Sequence, residues 1–331
     1  MRVLVTTGDF SHYLSPNFHY LLTELGKMVD LQLWYWSGDI NEIIRSLGAK
    51  PDFVFINEFA ETNSPIITGL AGLSLPWAVL LHDLHYEIEA RTRMLREINA
   101  PGIFSIYRDR FSDWYPEFWP KFRWLPHHAN TDVFYDYALN RDIDYLMLGA
   151  VHESIYPLRC RILEKMSDKP GFVYHEHPGY RNFSEEDGAL VGTRYAWEIN
   201  RAKIFFSCDS IFRYPLAKYY EVLACKTLLL ASASQELADL GFLPGVHFVD
   251  INEYDFEEKA EYYLQHEEER LQIAEQGYEM VRTHHYTARR ALDLKIAIEE
   301  ICRDWPGAQL STGKQPFSSH SRIRIKKGVR L

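Results

Sequence analysis

Lys218-Tyr219-Tyr220-Glu221-Val222-Leu223-Ala224-Cys225-Lys226-Thr227-Leu228-Leu229-Leu230-Ala231-Ser232 is the stretch on which the fold turns. Its first half reads as a short helix with a single acid, Glu221, near the start. Its second half, residues 227–231, is an apolar run of strand length. A helix that runs almost directly into a buried strand belongs to an α/β fold with a parallel sheet. A carboxylate beside the amides of a helix start is well placed to hold a ribose diol. The plainer alternative is an acid that only complements the helix dipole.

Working outward, the same alternation recurs on both sides. Upstream, strands are expected at 2–6, 31–36, 52–56, 77–81 and 102–106, with helices at 17–29, 40–47, 65–73 and 86–98 and a Gly8-Asp9 turn after the first strand. A second run opens at Asp144-Tyr145-Leu146-Met147-Leu148-Gly149. It continues through a helix at 157–166 and strands at 171–175 and 204–207 to the opening stretch. A stretch over 241–249 and long charged helices at 256–283 and 287–303 complete it. This pattern predicts two doubly wound parallel sheets, each with a ligand edge at the carboxyl ends of its strands. The cleft between two such lobes is the default place for a ligand.

Length and composition agree with two lobes. A chain of 331 residues exceeds what one core usually organises. It is 47% hydrophobic and 25% charged, with no apolar run near the roughly 20 residues of a membrane span and no signal-peptide pattern. A cytoplasmic location is expected. Cys160, Cys208, Cys225 and Cys302 lie far apart and read as ordinary thiols. The net charge of −10 argues against nucleic acid as a partner. Residues 311–331 nevertheless carry six Lys or Arg and no acid, leaving the remainder near −16. That tail is read either as a flexible basic terminus, after a Ser-, Gly- and Pro-rich linker, or as a peripheral contact with anionic lipid or another polyanion.

Three ordered motifs carry a family resemblance. The opening stretch is followed by Leu240-Gly241-Phe242-Leu243-Pro244-Gly245-Val246-His247-Phe248-Val249 and then by Glu268-Glu269-Arg270-Leu271-Gln272-Ile273-Ala274-Glu275-Gln276-Gly277. Together they resemble the CgeB-like, spore-maturation type of glycosyltransferase, of GT-B fold and the group 1 superfamily. Trp124-Leu125-Pro126-His127-His128-Ala129-Asn130-Thr131-Asp132-Val133-Phe134 is similar to the interlobe passage of such enzymes. Gly149-Ala150-Val151-His152, with Tyr156-Pro157-Leu158-Arg159 behind it, is similar to the start of their second lobe.

The resemblance implies an acceptor lobe over 1–135, a nucleotide-sugar donor lobe over 136–286, a helix over 287–305 crossing back to the first lobe, and a basic tail over 306–331. It implies transfer of a sugar from a nucleoside-diphosphate donor, UDP favoured, to a saccharide or other hydroxyl acceptor, with no further cofactor and no metal. Gly149 would admit the pyrophosphate, and Arg159, Arg213 and Lys218 would face its charge. Glu221 would take the ribose hydroxyls, and Tyr180 would stack on the base. From the first lobe, His82 and Asp83 resemble a His-Asp segment set against the donor sugar. Gly8 and Asp9 would face the acceptor; in an inverting reaction His82 or Asp9 becomes the base. Retention is the expected outcome, since the His-Asp segment resembles that of many retaining enzymes of this fold. One departure stands out: many of them carry a second Glu eight positions before the ribose-binding one, where this chain has Arg213. Two other readings stay open, a nucleotide-sugar epimerase of the same fold and a non-catalytic nucleotide-sugar-binding scaffold. The aromatic run over 111–120 reads as a long loop, either stacking on an acceptor or packing on its lobe.

Overall fold

Apolar runs without polar alternation mark strands buried on both faces. They build the two parallel sheets of the computed structural model, which describes residues 1–59, 64–306 and 324–325. The expected linker and basic tail lie outside the described residues, apart from residue 306 and the backbone of 324–325.

One unit takes Met1–Asp9, His19–Pro126 and the chain from Arg290 onward. Its elements are β1 (Arg2–Thr6), α1 (Asn17–Leu25, whose first two residues belong to the second unit), β2 (Asp30–Trp34), β3 (Gly38–Asp39), α2 (Ile40–Ser46), β4 (Phe53–Asn57), β5 (Ile67–Thr68), β6 (Trp77–Leu81), α3 (Ile88–Ile98), β7 (Gly102–Ser105), α4 (Arg108–Trp114) and β8 (Phe122–Trp124). The main sheet runs β2–β1–β4–β6–β7–β8, every pairing parallel. Every residue of β4 and β6 is buried. The chain places β2 on one side of β1 and β4 on the other, so the topology switches there. A crevice forms outside the carboxyl ends of β1 and β4 at such a point. Gly8 and Asn57 stand at those ends.

Two expectations in this unit are corrected. The helix expected over 65–73 is instead the short strand β5, paired with β3, and a single turn of 3-10 helix at Leu70–Gly72. Gly69 takes φ +78 between them, a conformation that ends any helix, and a side chain there would collide with the Asp39 carboxylate. The aromatic run is not a loop. It forms α4 and a 3-10 helix over Pro116–Lys121, with Phe111, Tyr115 and Phe118 buried in the core and Trp119 exposed. Packing accounts for three of its rings.

The second unit takes Phe10–Phe18 and His127–Arg289. It comprises β9 (Ile143–Leu148), α5 (Pro157–Met166), β10 (Phe172–His175), α6 (Gly192–Asn200), β11 (Ala202–Phe206), α7 (Lys218–Ala224), β12 (Leu228–Ala231), α8 (Gln235–Asp239), β13 (Val249–Asp250), α9 (Phe256–Gln265) and α10 (Glu267–His284). The sheet order is β10–β9–β11–β12–β13, again all parallel. Leu146, Leu148, Phe205, Leu229 and Ala231 point into one core and Tyr145, Met147, Ile204, Phe206, Leu228 and Leu230 into the other. This is the period-two alternation of a sheet covered on both faces. The topology switches at β9, so Gly149 sits beside this unit's crevice.

The single charged helix expected over 256–283 is two. His266 leaves helical geometry at φ −100, ψ 72, donates from Nδ1 to the Tyr262 carbonyl at 2.7 Å, and stacks on the Tyr262 ring at 3.8 Å. Beyond α10, α11 (Thr287–Asp304) passes into the first unit, where Ile301 packs on Gly102. The strand β14 (Arg324–Ile325) pairs with β2.

The helix α10 reaches α7 through Gly277. A Cβ at that position would lie 2.5 Å from the His247 carbonyl oxygen and 2.9 Å from Leu223 Cδ2. Gly277→Ala therefore destabilises the protein by about 1–3 kcal/mol, despite the better helix propensity of alanine. Urea unfolding measures this directly. An unchanged midpoint would mean that the α7–α10 contact is not close-packed.

Candidate functional site

In α7 all residues from Tyr219 to Ala224 are buried. A helix apolar nearly all round belongs in the interior, so Glu221 is carried there by its neighbours. The turn into β12 is tight, with Lys226 at φ +56. Arg141 closes it by donating to Ala202 O and Thr227 Oγ1 through Nη1, and to Cys225 O and Lys226 O through Nη2, at 2.5–3.2 Å. The position of Glu221 is thus held from the turn as well as from the core.

Glu221 is 7% exposed. Asn17 Nδ2 donates to its Oε1 at 3.4 Å, and the Tyr195 hydroxyl stands beside the same carboxylate. Burial raises the Glu221 carboxyl pKa, while Lys218, Asn17 and Tyr195 pull it back. Asn17 Oδ1 and the Tyr195 hydroxyl are buried without a well-formed hydrogen bond. Polar atoms left this way are uncommon in native interiors.

At the end of β9, Gly149 takes φ +129, which a side chain rarely adopts. A Cβ there would meet Arg159 Nη1 at 3.2 Å and the Lys218 ammonium at 3.5 Å. Arg159 lies in the first turn of α5 and is 3% exposed. Its Nη1 donates to Ala150 O at 3.2 Å and its guanidinium lies 4.0 Å over the Tyr156 ring, but Nε and Nη2 have no partner. Lys218 Nζ lies 5.7 Å from the centre of the Tyr195 ring. Burial and the nearby Arg159 push the Lys218 pKa down to about 8, against the opposing pull of Glu221 and Cys208. His177 is lowered by burial first and then by Lys218, Arg159 and His152. Two cations thus share one edge of the sheet with a buried acid.

The structure therefore brings Gly149, Arg159, Lys218 and Glu221 together. It does not gather all the expected donor residues there. Arg213 has φ +60, is mostly exposed, and pairs with Asp209 at 3.4 Å. Tyr180 is 72% exposed, its ring 4.6 Å from that of His177. Asn17, Tyr195 and Tyr174, whose hydroxyl donates to Gly149 O at 3.0 Å, are absent from the sequence reading. No motif marks them, since Asn17 stands 204 positions from Glu221.

In the first unit, His82 follows β6 and is half-buried. Its Nε2 lies 2.6 Å from Asn57 Oδ1, and its backbone N–H donates to Glu58 Oε2 at 2.9 Å. Burial lowers its pKa, Glu58 and Asp83 raise it, and Arg91 lowers it. Asp83 also presents its carbonyl to Arg91 at 2.7 Å. Asp9 is exposed and lies close enough to Tyr35 to add to the upward shift that burial gives that phenol. Gly8 offers its carbonyl to Thr7 Oγ1 at 3.1 Å.

Among the described residues, no three or more His, Cys, Asp or Glu side chains are grouped to hold a metal ion. Nor is any helix there long and apolar enough to cross a membrane.

Residues 159–295 match the family described as glycosyl transferase-like, a segment that contains Arg159, Lys218 and Glu221. No curated protein matches the chain. Among solved structures, sucrose-phosphate synthase from Thermosynechococcus elongatus is 14% identical with a TM-score of 0.63, over 91% of this chain and 98% of that one. HepE from Anabaena, solved in complex with UDP-glucose, is 9% identical with a TM-score of 0.63, over 91% of this chain and 100% of its own. A glycosyltransferase from Rickettsia africae is 10% identical with a TM-score of 0.59, over 92% and 99%. At these identities the likeness is one of fold. The chain has the GT-B fold, and its residues 159–295 match a glycosyl transferase-like domain.

Proposed function

We propose that the protein transfers a hexosyl group from a nucleoside-diphosphate sugar, UDP favoured, to a hydroxyl acceptor, as a CgeB-like enzyme that works with retention and without a metal ion. One observation carries this reading. The buried guanidinium of Arg159, with two nitrogens unpartnered, lies beside Lys218 at a glycine that leaves room for a ligand, and Glu221 follows one turn along the same helix as Lys218. A diphosphate fits the two cations, which neutralise it as it departs, a task a metal ion performs elsewhere. Glu221 accepts from the ribose hydroxyls. The choice of UDP rests on the UDP-glucose complex of a protein of similar fold. In the proposed step the acceptor oxygen bonds to the anomeric carbon as the bond from that carbon to the diphosphate breaks. The acceptor's proton passes to the departing phosphate. His82, Asp83, Asp9 and Gly8 of the first unit are the proposed groups for sugar and acceptor, while Arg213 and Tyr180 are proposed for the outer part of the donor.

The test is a thermal-shift screen of UDP, GDP, dTDP, ADP and CMP in EDTA. A nucleoside diphosphate raises the melting temperature, a ligand at 100 times its Kd adding about 2.7 kcal/mol. In Glu221→Gln, nucleoside diphosphate affinity falls about tenfold, or about 1.4 kcal/mol, while that for inorganic pyrophosphate is unchanged, because the carboxylate serves the ribose. Absence of any response to nucleotides in the unaltered protein rejects the reading. Equal losses for both ligands reject the role of Glu221.

A further inference from the structure

His177 lies two residues beyond the end of β10, beside β9 and the Gly149 that follows it. The register pairs His175 with Leu148, and Gly149 N–H donates to His175 O at 3.2 Å. The segment leaving β10 therefore starts beside the glycine at which Arg159 and Lys218 meet. This unit's topology switches at β9, and open parallel sheets bind ligands outside the carboxyl ends of their strands at such a point. Lys218, Arg159 and His152 all stand close enough to act on the imidazole electrostatically.

The hydrogen bonding of the ring has a fixed direction. Gly179 N–H donates to His177 Nδ1 at 3.1 Å. A backbone amide can only donate, so Nδ1 keeps its lone pair, and a ring turned by about 180° would set Cδ2 there, which cannot accept. An imidazole whose Nδ1 accepts is neutral and carries its proton on Nε2. Burial disfavours the charged form, and Lys218, Arg159 and His152 disfavour it further. With Nδ1 engaged on its own turn, Nε2–H is the polar group that this side chain offers to a ligand.

We propose that His177 is a further donor-binding residue, its Nε2–H donating to an oxygen of the diphosphate held by Arg159 and Lys218. The proposal deepens, and rests on, the reading of this edge as a nucleotide-sugar site, though the bond itself is to the diphosphate alone. Neutrality matters because two cations already share the edge. A third charge would be repelled by them before any ligand arrives. A neutral N–H adds a bond to a charged oxygen without that repulsion.

The experiment measures binding of inorganic pyrophosphate and of UDP by calorimetry in EDTA, for the full chain and for two variants that each keep half of the imidazole's function. His177→Asn sets an amide oxygen where Nδ1 stands and leaves nothing at the Nε2 position. His177→Gln reaches the Nε2 position with an amide donor and leaves Gly179 N–H without its acceptor. His177→Asn is expected to keep its melting temperature and to bind both ligands about tenfold more weakly. His177→Gln recovers most of that affinity, a rescue that a purely structural role does not produce. A long-range proton–nitrogen correlation spectrum of the histidine-labelled chain, with His177 assigned from His177→Asn, shows a single neutral Nε2–H tautomer near neutral pH. Its Nε2 resonance moves when pyrophosphate is added. Unchanged pyrophosphate affinity in His177→Asn overturns the proposal, including the case in which UDP binding alone weakens, which would set the ring against the nucleoside. An Nδ1–H or protonated ring in the unaltered protein overturns it as well. Pyrophosphate binding with the His177 signature, but without binding of any nucleoside diphosphate, leaves the anion contact standing and overturns the transferase reading. A chain that binds neither ligand overturns both.

Discussion

Arg159→Met is expected to leave the unliganded protein as stable as before, or more so, while weakening nucleoside diphosphate binding by about two orders of magnitude. The two halves of this result come from one fact. Arg159 is 3% exposed, and of its guanidinium nitrogens only Nη1 has a protein acceptor, Ala150 O at 3.2 Å. A buried charge with incomplete pairing costs stability, and an apolar residue of similar length removes that cost. With a diphosphate bound, Nε and Nη2 gain charged acceptors, each such bond contributing about 1.5–3 kcal/mol. Two such bonds correspond to a loss of about 3 kcal/mol or more, a hundredfold in Kd. Melting curves with and without UDP separate the effects. A variant that unfolds early without ligand would make Arg159 a structural cation, and one that keeps the UDP shift would place the diphosphate elsewhere.

The pH dependence of binding is expected to report Lys218. Its pKa in the folded protein is about 8, below the ordinary 10.5. A depressed amine pKa means that the folded state releases a proton which the unfolded chain keeps, so between about pH 8 and 10.5 this group makes the unliganded protein more stable as pH rises. Anion binding has the opposite sign, because it requires the ammonium. Affinity for a nucleoside diphosphate therefore falls by up to about tenfold per unit above pH 8, and by at least about tenfold in total by pH 10. In Lys218→Arg the charge no longer titrates and the slope disappears, while any ionisation of the nucleotide base remains as a background common to both proteins. Calorimetric Kd values across this range decide the matter. Equal slopes in the two proteins would remove Lys218 from the anion site.

The order of strands and helices was legible because buried parallel strands advertise themselves as apolar runs. The opening stretch shows this well: residues 218–231 read as a helix and a strand, and they fold as α7 and β12. The failures have local physical causes. Residues 65–73 have helical spacing of apolar groups, yet Gly69 in a left-handed conformation and the pairing of Ile67–Thr68 with Gly38–Asp39 outweigh it. The aromatic run over 111–120 contains two prolines, which favours a loop reading. Burial of Phe111, Tyr115 and Phe118 organises it into helical turns instead.

What the sequence by itself determined is the architecture and the chemically conspicuous members of the candidate sites: Gly149 after a strand, Glu221 in a helix of small and apolar residues, and His82 beside Asp83. Tertiary structure alone decided which groups meet. Asn17 and Tyr195 reach Glu221 from two other segments, while Asn57 reaches His82 and itself donates to Thr7. Arg159 and Arg213 looked equivalent in sequence, yet one is buried beside Gly149 and the other is exposed beside Asp209. Local pattern encodes which face of an element is apolar. The partner of a polar atom depends on where separate strands end in space, and on which donors remain after the backbone and neighbouring side chains have taken theirs.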